Sequence, residues 1–176
     1  YATGDVTGDY YYVGGLVGYN VGSITNSYAT GNVTGNNWVG GLVGSNVGSI
    51  TNSYATGNIT GSGDYVGGLV GSNSYSGSIT NSYATGDVTG NNYVGGLVGR
   101  SYVGRIENSF ALNSAINSTG GNIARIVGDS AGTLNNNYAL ATMTVNGSPI
   151  SNSDANDPNG ADISEQWATT IFPYLD

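Results

Sequence analysis

Two groups of residues in this sequence could do chemistry. The first is an aromatic column: Tyr12, Trp38, Tyr65 and Tyr93 each stand immediately before Val-Gly-Gly. Rings at a repeated position can stack on one another, which stabilises by roughly 0.5–1.5 kcal/mol per pair. They can equally offer a stripe for stacking sugars or docking a protein. Trp38 with Tyr12 and Tyr65 would be the centre of such a stripe, because these residues flank segments of variable length at Asp9–Tyr11 and Ser62–Asp64. The second group is the acidic stretch with Asp154, Asn156, Asp157, Asp162 and Glu165. Counted from Asp154, oxygen ligands fall at positions 1, 3, 9 and 12 of a calcium loop of the EF-hand kind. Pro158 occupies position 5 and Gly160 stands at 7 instead of 6, so Asp157 would have to substitute. The stretch therefore reads either as a Ca²⁺ site or as a solvated polar turn.

Other chemistry is excluded by composition. The 176 residues include no Cys and no His, and the three cations are Arg100, Arg105 and Arg125. Disulfides, thiolate or imidazole metal sites, and Ser-His, Cys-His or Lys-dependent catalysis all lack their residues. A net charge of -8 gives no basic footprint for nucleic acid. No apolar run is long enough to span a membrane as a helix, so no membrane insertion is expected. No secretory signal precedes Tyr1, which is expected of a mature, trimmed or partial chain.

What positions the aromatic column is a repeat. Tyr-Ala-Thr-Gly begins at Tyr1, Tyr28, Tyr54 and Tyr83, with offsets of 27, 26 and 29 residues, and is echoed at Phe110 and Tyr138. Val-Gly-Gly-Leu-Val-Gly and Gly-Ser-Ile-Thr-Asn-Ser recur within each period. A unit this short cannot bury its own apolar residues, so stacked units must share one core. No helical stripe is present, and the density of Gly opposes helix at roughly 1 kcal/mol per residue against Ala. Three short extended segments per period, separated by Gly/Asn turns, predict an all-β parallel β-solenoid. Some five to six coils at ~4.8 Å each would make a rod on the order of 25–30 Å long.

Alternation along the strands assigns faces. Ile24, Ile50, Ile79, Ile106 and Leu134 should form one inner stack. Leu16, Leu42, Leu69, Leu97 and Ile126 should form another, and Val6, Val33, Ile59 and Val88 a third. Strict alternation cannot bury both Leu and the Val after it, so the facing of Val17 and its equivalents stays open. Asn26, Asn52, Asn81, Asn108 and Asn136 share one register position and read as an amide ladder at a corner. Outward Thr-x-Asn/Asp-x-Thr rows read as a soluble β-face or as a flat, repetitive binding surface. The Asn or Asp in each row argues against an ice-binding array.

Repeated Gly-Leu-Val-Gly followed by Ile-Thr-Asn-Ser-Tyr-Ala-Thr-Gly resembles the GLUG-motif repeat family, over Tyr1–Ser109 and in weaker form over Phe110–Tyr138. The resemblance implies a non-catalytic solenoid or stalk segment of a large secreted or surface-anchored bacterial protein. Such proteins include adhesin-like exoproteins and some immunoglobulin A1 metallopeptidases.

Three regions are expected: regular repeats over 1–109, degenerate coils over 110–145, and a C-terminal cap over 146–176 that includes the aromatic tail from Trp167 to Leu175. The expected function is that of a non-enzymatic extracellular module on the bacterial surface. It would be a rigid spacer or an adhesive surface for a host or neighbouring-cell protein or glycan, with no cofactor unless Ca²⁺ binds the acidic stretch. The alternative is a fibre subunit that stacks end to end through the uncapped coil at Tyr1. An enzyme of the parallel β-helix kind would gather several Asp, Lys or Arg in one cleft, and nothing before residue 154 does so.

Overall fold

The computed structural model describes residues 1–150 and 153–171. It is an all-β parallel solenoid of about six turns with one short helix, α1, at Glu165–Ile171. The first coil contains β1 (Val6–Thr7), β2 (Tyr11–Gly14), β3 (Val17–Asn20), β4 (Ser23–Thr25) and β5 (Tyr28–Ala29). These pieces are the three extended segments seen in the repeat, two of which are divided by bends. Bends between Ala29 and Val33, and at Gly15 and Leu16, split the Tyr-Ala-Thr-Gly and Val-Gly-Gly-Leu-Val segments. Five hydrogen-bonded ladders therefore run along the rod.

Register is identity on identity. Val6 pairs with Val33, Tyr28 with Tyr54, Ile24 with Ile50, and Val17 with Val43. The same ladders run through 110–145, where Phe110 pairs with Tyr138 and Ile106 with Leu134. Each expected inner stack is present: Ile50, Ile79 and Ile106 are 0% exposed, as are Leu42, Leu69 and Leu97. A fully buried aliphatic side chain contributes roughly 1.5–3 kcal/mol, and the stack repeats that gain in every coil.

The Leu-Val question resolves through the backbone. Leu42 N and Val43 N both donate to the Leu69 carbonyl oxygen, at 2.9 and 3.1 Å. Leu69 and Val70 do the same to Leu97, and Leu97 and Val98 to Ile126. One carbonyl taking two successive N–H groups marks the bend at Gly41 and Leu42, and a bend breaks the period of two. Both side chains therefore turn inward, and Val43, Val70, Val98 and Val127 are buried with their leucines. The bend needs glycine: a Cβ on Gly41 would meet the Gly68 carbonyl oxygen of the next coil.

The Asn corner is as expected, and the structure gives its cause. Asn26, Asn52, Asn81, Asn108 and Asn136 have φ between 47° and 55°. Asn is the side chain that tolerates this left-handed geometry best after Gly. Asn52 Nδ2 donates to Asn26 Oδ1 at 3.3 Å, and Asn136 Nδ2 to Asn108 Oδ1 at 2.6 Å. A second amide ladder lies inside the rod: Asn20 Nδ2 donates to Asn46 Oδ1 at 2.7 Å, and Asn46 Nδ2 to Asn73 Oδ1 at 2.8 Å.

Beyond the fifth coil, Ala161–Ile163 adds in parallel to Tyr138–Leu140. The Pro158 carbonyl oxygen accepts from both Ile126 N and Val127 N, as the next coil's leucine carbonyl would. Arg125 stands where the coils below carry Gly41, Gly68 and Gly96. Its buried guanidinium donates to the carbonyl oxygens of Asn159 and Gly160 and to Asp162 Oδ1. Trp167 in α1 is 55% exposed. The rest of the aromatic tail, from Phe172 on, lies outside the described residues.

Candidate functional site

The aromatic column occupies a second strained corner. Tyr12, Trp38, Tyr65 and Tyr93 have φ of 61°, 51°, 64° and 55°. Left-handed backbone costs a bulky L-residue roughly 1–2 kcal/mol, so packing must hold it. Ring stacking supplies part: centroids are 5.2 Å apart for Tyr12–Trp38, 5.3 Å for Trp38–Tyr65 and 5.0 Å for Tyr65–Tyr93. Close backbone approach supplies the rest. A Cβ on Gly44 would strike the Tyr12 backbone, and one on Gly71 the Trp38 backbone. The structure thus brings the four residues together as one column. Their inner faces cover one another, and their rims point outward.

Beside the rims is a hollow of about 580 Å³. Tyr12, Trp38 and Tyr65 make one wall, and Tyr93 continues the column beyond it. The floor is one register position of the β3 ladder: Tyr19 pairs with Ser45, Ser45 with Ser72, and Ser72 with Arg100. The far wall is Val47, Ser74, Tyr75 and Tyr102. Small serines thus lie in the middle of the floor, and large side chains stand at both ends.

Arg100 is the cation of this hollow. Its guanidinium carbon sits 5.6 Å from the Tyr65 ring centroid and 5.3 Å from that of Tyr102, which are cation–π distances. Its Nε is 3.2 Å from Asp129 Oδ2. The pair is half open to water, so its worth lies in holding the guanidinium in place more than in stability. Ser72 Oγ and Ser74 Oγ are 3.0 Å apart. Sequence reasoning found Tyr12, Trp38 and Tyr65 but missed the floor and the far wall.

The acidic stretch folds as a hydrogen-bonded turn. Asp157 Oδ1 accepts from Asn159 N at 2.7 Å and Gly160 N at 3.0 Å, and Asp154 Oδ1 accepts from Asn156 N at 2.8 Å. Asn156 Oδ1 accepts from Asn136 N, Asp162 pairs with Arg125 at 2.7 Å, and Glu165 Oε1 accepts from Thr142 Oγ1. These oxygens serve donors of the chain itself. Among the described residues no group of three or more His, Cys, Asp or Glu side chains converges as a metal site would.

The Thr-x-Asn/Asp-x-Thr rows are likewise tied to the fold. Asp5 Oδ1 accepts from Asn32 N at 2.7 Å, Asn32 Oδ1 from Asn58 N, and Asn58 Oδ1 from Asp87 N. The middle residue of each row thus clasps the backbone of the next coil. On the neighbouring Tyr28, Tyr54 and Tyr83 column, burial raises the Tyr54 and Tyr83 phenols, and the ring one coil below adds to this. Tyr83 is pushed up to about 12.

The arrangement can bind: it has rims, hydroxyls and a fixed cation around a cavity of ligand size. No curated protein sequence matches the chain. In fold it is similar to a crystal structure named as a "putative immunoglobulin A1 protease" from Bacteroides ovatus, with a TM-score of 0.68 and 23% identity. The likeness covers 98% of this chain and 62% of that one, so the chain spans under two thirds of that protein's length. The GLUG motif matches residues 9–34, 35–60, 62–89 and 90–117, more than half of the chain. Each match contains one aromatic corner, one Gly-Leu bend and one Asn corner, and on that shared unit this chain belongs to the GLUG-motif repeat family.

Proposed function

We propose that the chain is a rigid, non-enzymatic segment of a larger bacterial secreted or surface protein, a spacer that carries an adhesive face. The observation that supports it most is the unbroken in-register stack, from the Ala2–Ala29 bridge to the Ala161–Ile163 strand. Such a stack holds surface groups at fixed spacing. The Bacteroides ovatus neighbour is longer than this chain, which suits a segment of a larger protein. Proteolysis itself would be the work of other parts of such a protein, since this chain lacks His, Cys and Lys.

The test is direct. Fluorescently labelled chain is applied to mammalian epithelial cells and to bacterial cells, and immunoglobulin A1 and a polysaccharide panel are incubated with it in parallel. Saturable cell binding with uncleaved immunoglobulin and no new reducing ends is the expected result. Turnover of any of these substrates, or a lack of saturable binding to every surface, overturns the reading.

A further inference from the structure

Resting on that adhesive reading, we propose that the hollow over Ser45 and Ser72 is a binding site for a short oligosaccharide. In a repeat protein the repeated residues build the rod, so departures from the repeat are where function can be placed. Here the departures converge. The floor position is Ser in coils two and three, but Tyr19 in coil one and Arg100 in coil four. The far wall comes from Tyr75, which lies in an insertion, and from Tyr102, with Tyr75 N bonded to the Tyr102 carbonyl oxygen. The opposite wall holds Trp38, a tryptophan in a column otherwise of tyrosine. Tyr19 and Arg100 close the two ends, so the hollow suits a short ligand more than a long polymer.

The chemistry of the lining selects the class. Aromatic walls offer apolar surface with polar tips, and Tyr75 is 69% exposed. The floor presents hydroxyls. The Arg100 guanidinium has five donor hydrogens, and its Nε lies 3.2 Å from Asp129 Oδ2. A ring with C–H faces and many hydroxyls satisfies all three. A peptide adding as a β-strand finds no edge here, because Val43–Asn46 and Val70–Ser74 are paired on both sides. A nucleic acid meets one cation, already paired, on a chain of net charge -8.

The experiment is a glycan array with the full chain, followed by calorimetric titration of the best-binding oligosaccharide. Ser72→Tyr fills the hollow, and the ladder accepts a tyrosine there because Tyr19 holds the same position in coil one. Tyr75→Ala removes a wall from an exposed loop, and Thr60→Ala on the β1 ladder is the control. The expected result is at least a tenfold loss of affinity for Ser72→Tyr, a several-fold loss for Tyr75→Ala and no change for Thr60→Ala. Unaltered melting temperatures accompany these. If Ser72→Tyr fails to fold, Tyr75→Ala alone decides. A blank array, or an oligosaccharide held as tightly by the folded variants, overturns the site. Cell binding that Ser72→Tyr abolishes despite a blank array leaves the adhesive reading standing, with a protein as its partner. Cell binding that persists in Ser72→Tyr places adhesion elsewhere on the rod.

Discussion

Arg125 Nη1 lies 2.7 Å from Asp162 Oδ1, and the Arg125 side chain is fully buried while that of Asp162 is 37% exposed. The asymmetry decides which partner matters more. Removing Asp162 leaves a guanidinium charge inside the protein with only carbonyl oxygens around it. Removing Arg125 leaves a carboxylate that water can reach. Loss of one partner from a fully buried pair costs roughly 3–5 kcal/mol. With one partner half open, Asp162→Ala should cost about 2 kcal/mol. Arg125→Met, which keeps the volume, should cost less. Urea unfolding of both variants checks the order, and hydrogen exchange over residues 154–163 should rise in Asp162→Ala.

The core stack predicts a gradient along the rod. Ile79 is 0% exposed with neighbours above and below, whereas Ile24 in the first coil is 8% exposed. Ile79→Ala should destabilise by about 3–4 kcal/mol, within the usual cost of emptying a core site. Ile24→Ala should cost clearly less, because water can enter from the open side. Equal costs in chemical denaturation would show that the coils do not share one core.

The Asn corner separates side chain from backbone. Asn52 has φ of 51° and its Nδ2 bonds Asn26 Oδ1. Asn52→Gly loses only this exposed amide bond and the one that Asn52 Oδ1 accepts from Asn81 Nδ2, both at 3.3 Å, and should change stability by about 0.5 kcal/mol or less, glycine being free to adopt φ > 0. Asn52→Ala loses both bonds and keeps the left-handed strain, for about 1–2 kcal/mol. Thermal melts of the two variants read the difference.

The Tyr28–Tyr54–Tyr83 column predicts alkaline behaviour. Folding raises the Tyr83 phenol from its ordinary 10.0 to about 12, by burial first and by Tyr54 second. The folded state therefore favours the protonated ring. Its stabilising contribution is complete below pH 10 and is lost as pH climbs through about 12. Absorbance titration near 295 nm should show a late-ionising class of tyrosine, and Tyr83→Phe should delay alkaline unfolding. A single unshifted transition would contradict the packing of that column.

The parallel solenoid, its inner stacks and the Asn corner were legible in the sequence, because each rests on identical residues at a fixed interval. The Leu-Val pairs were not, since alternation fails at a bend, and where the backbone bends inside Val-Gly-Gly-Leu-Val is not spelled out by the residue types. The inner Asn20–Asn46–Asn73 ladder was hidden because Gly-x-Asn reads locally as a turn. Of the candidate site, the column of Tyr12, Trp38 and Tyr65 was visible and the facing floor was not. A signal existed: Tyr19 and Arg100 interrupt Gly-Ser-Asn, and Tyr75 lies in an insertion. The ladder register alone shows that these interruptions surround one space.

The place of Arg125 bears on how such rods can change length. Wherever the position before the Leu-Val pair is glycine, duplication of one whole period yields another tread that fits both its neighbours, and a taller rod costs the lineage no redesign. At Arg125 the side chain fills the volume that another tread's backbone would need. Growth by copying is therefore open within the glycine-bearing coils, whereas a further period laid directly on Arg125 would first have to make room for its side chain.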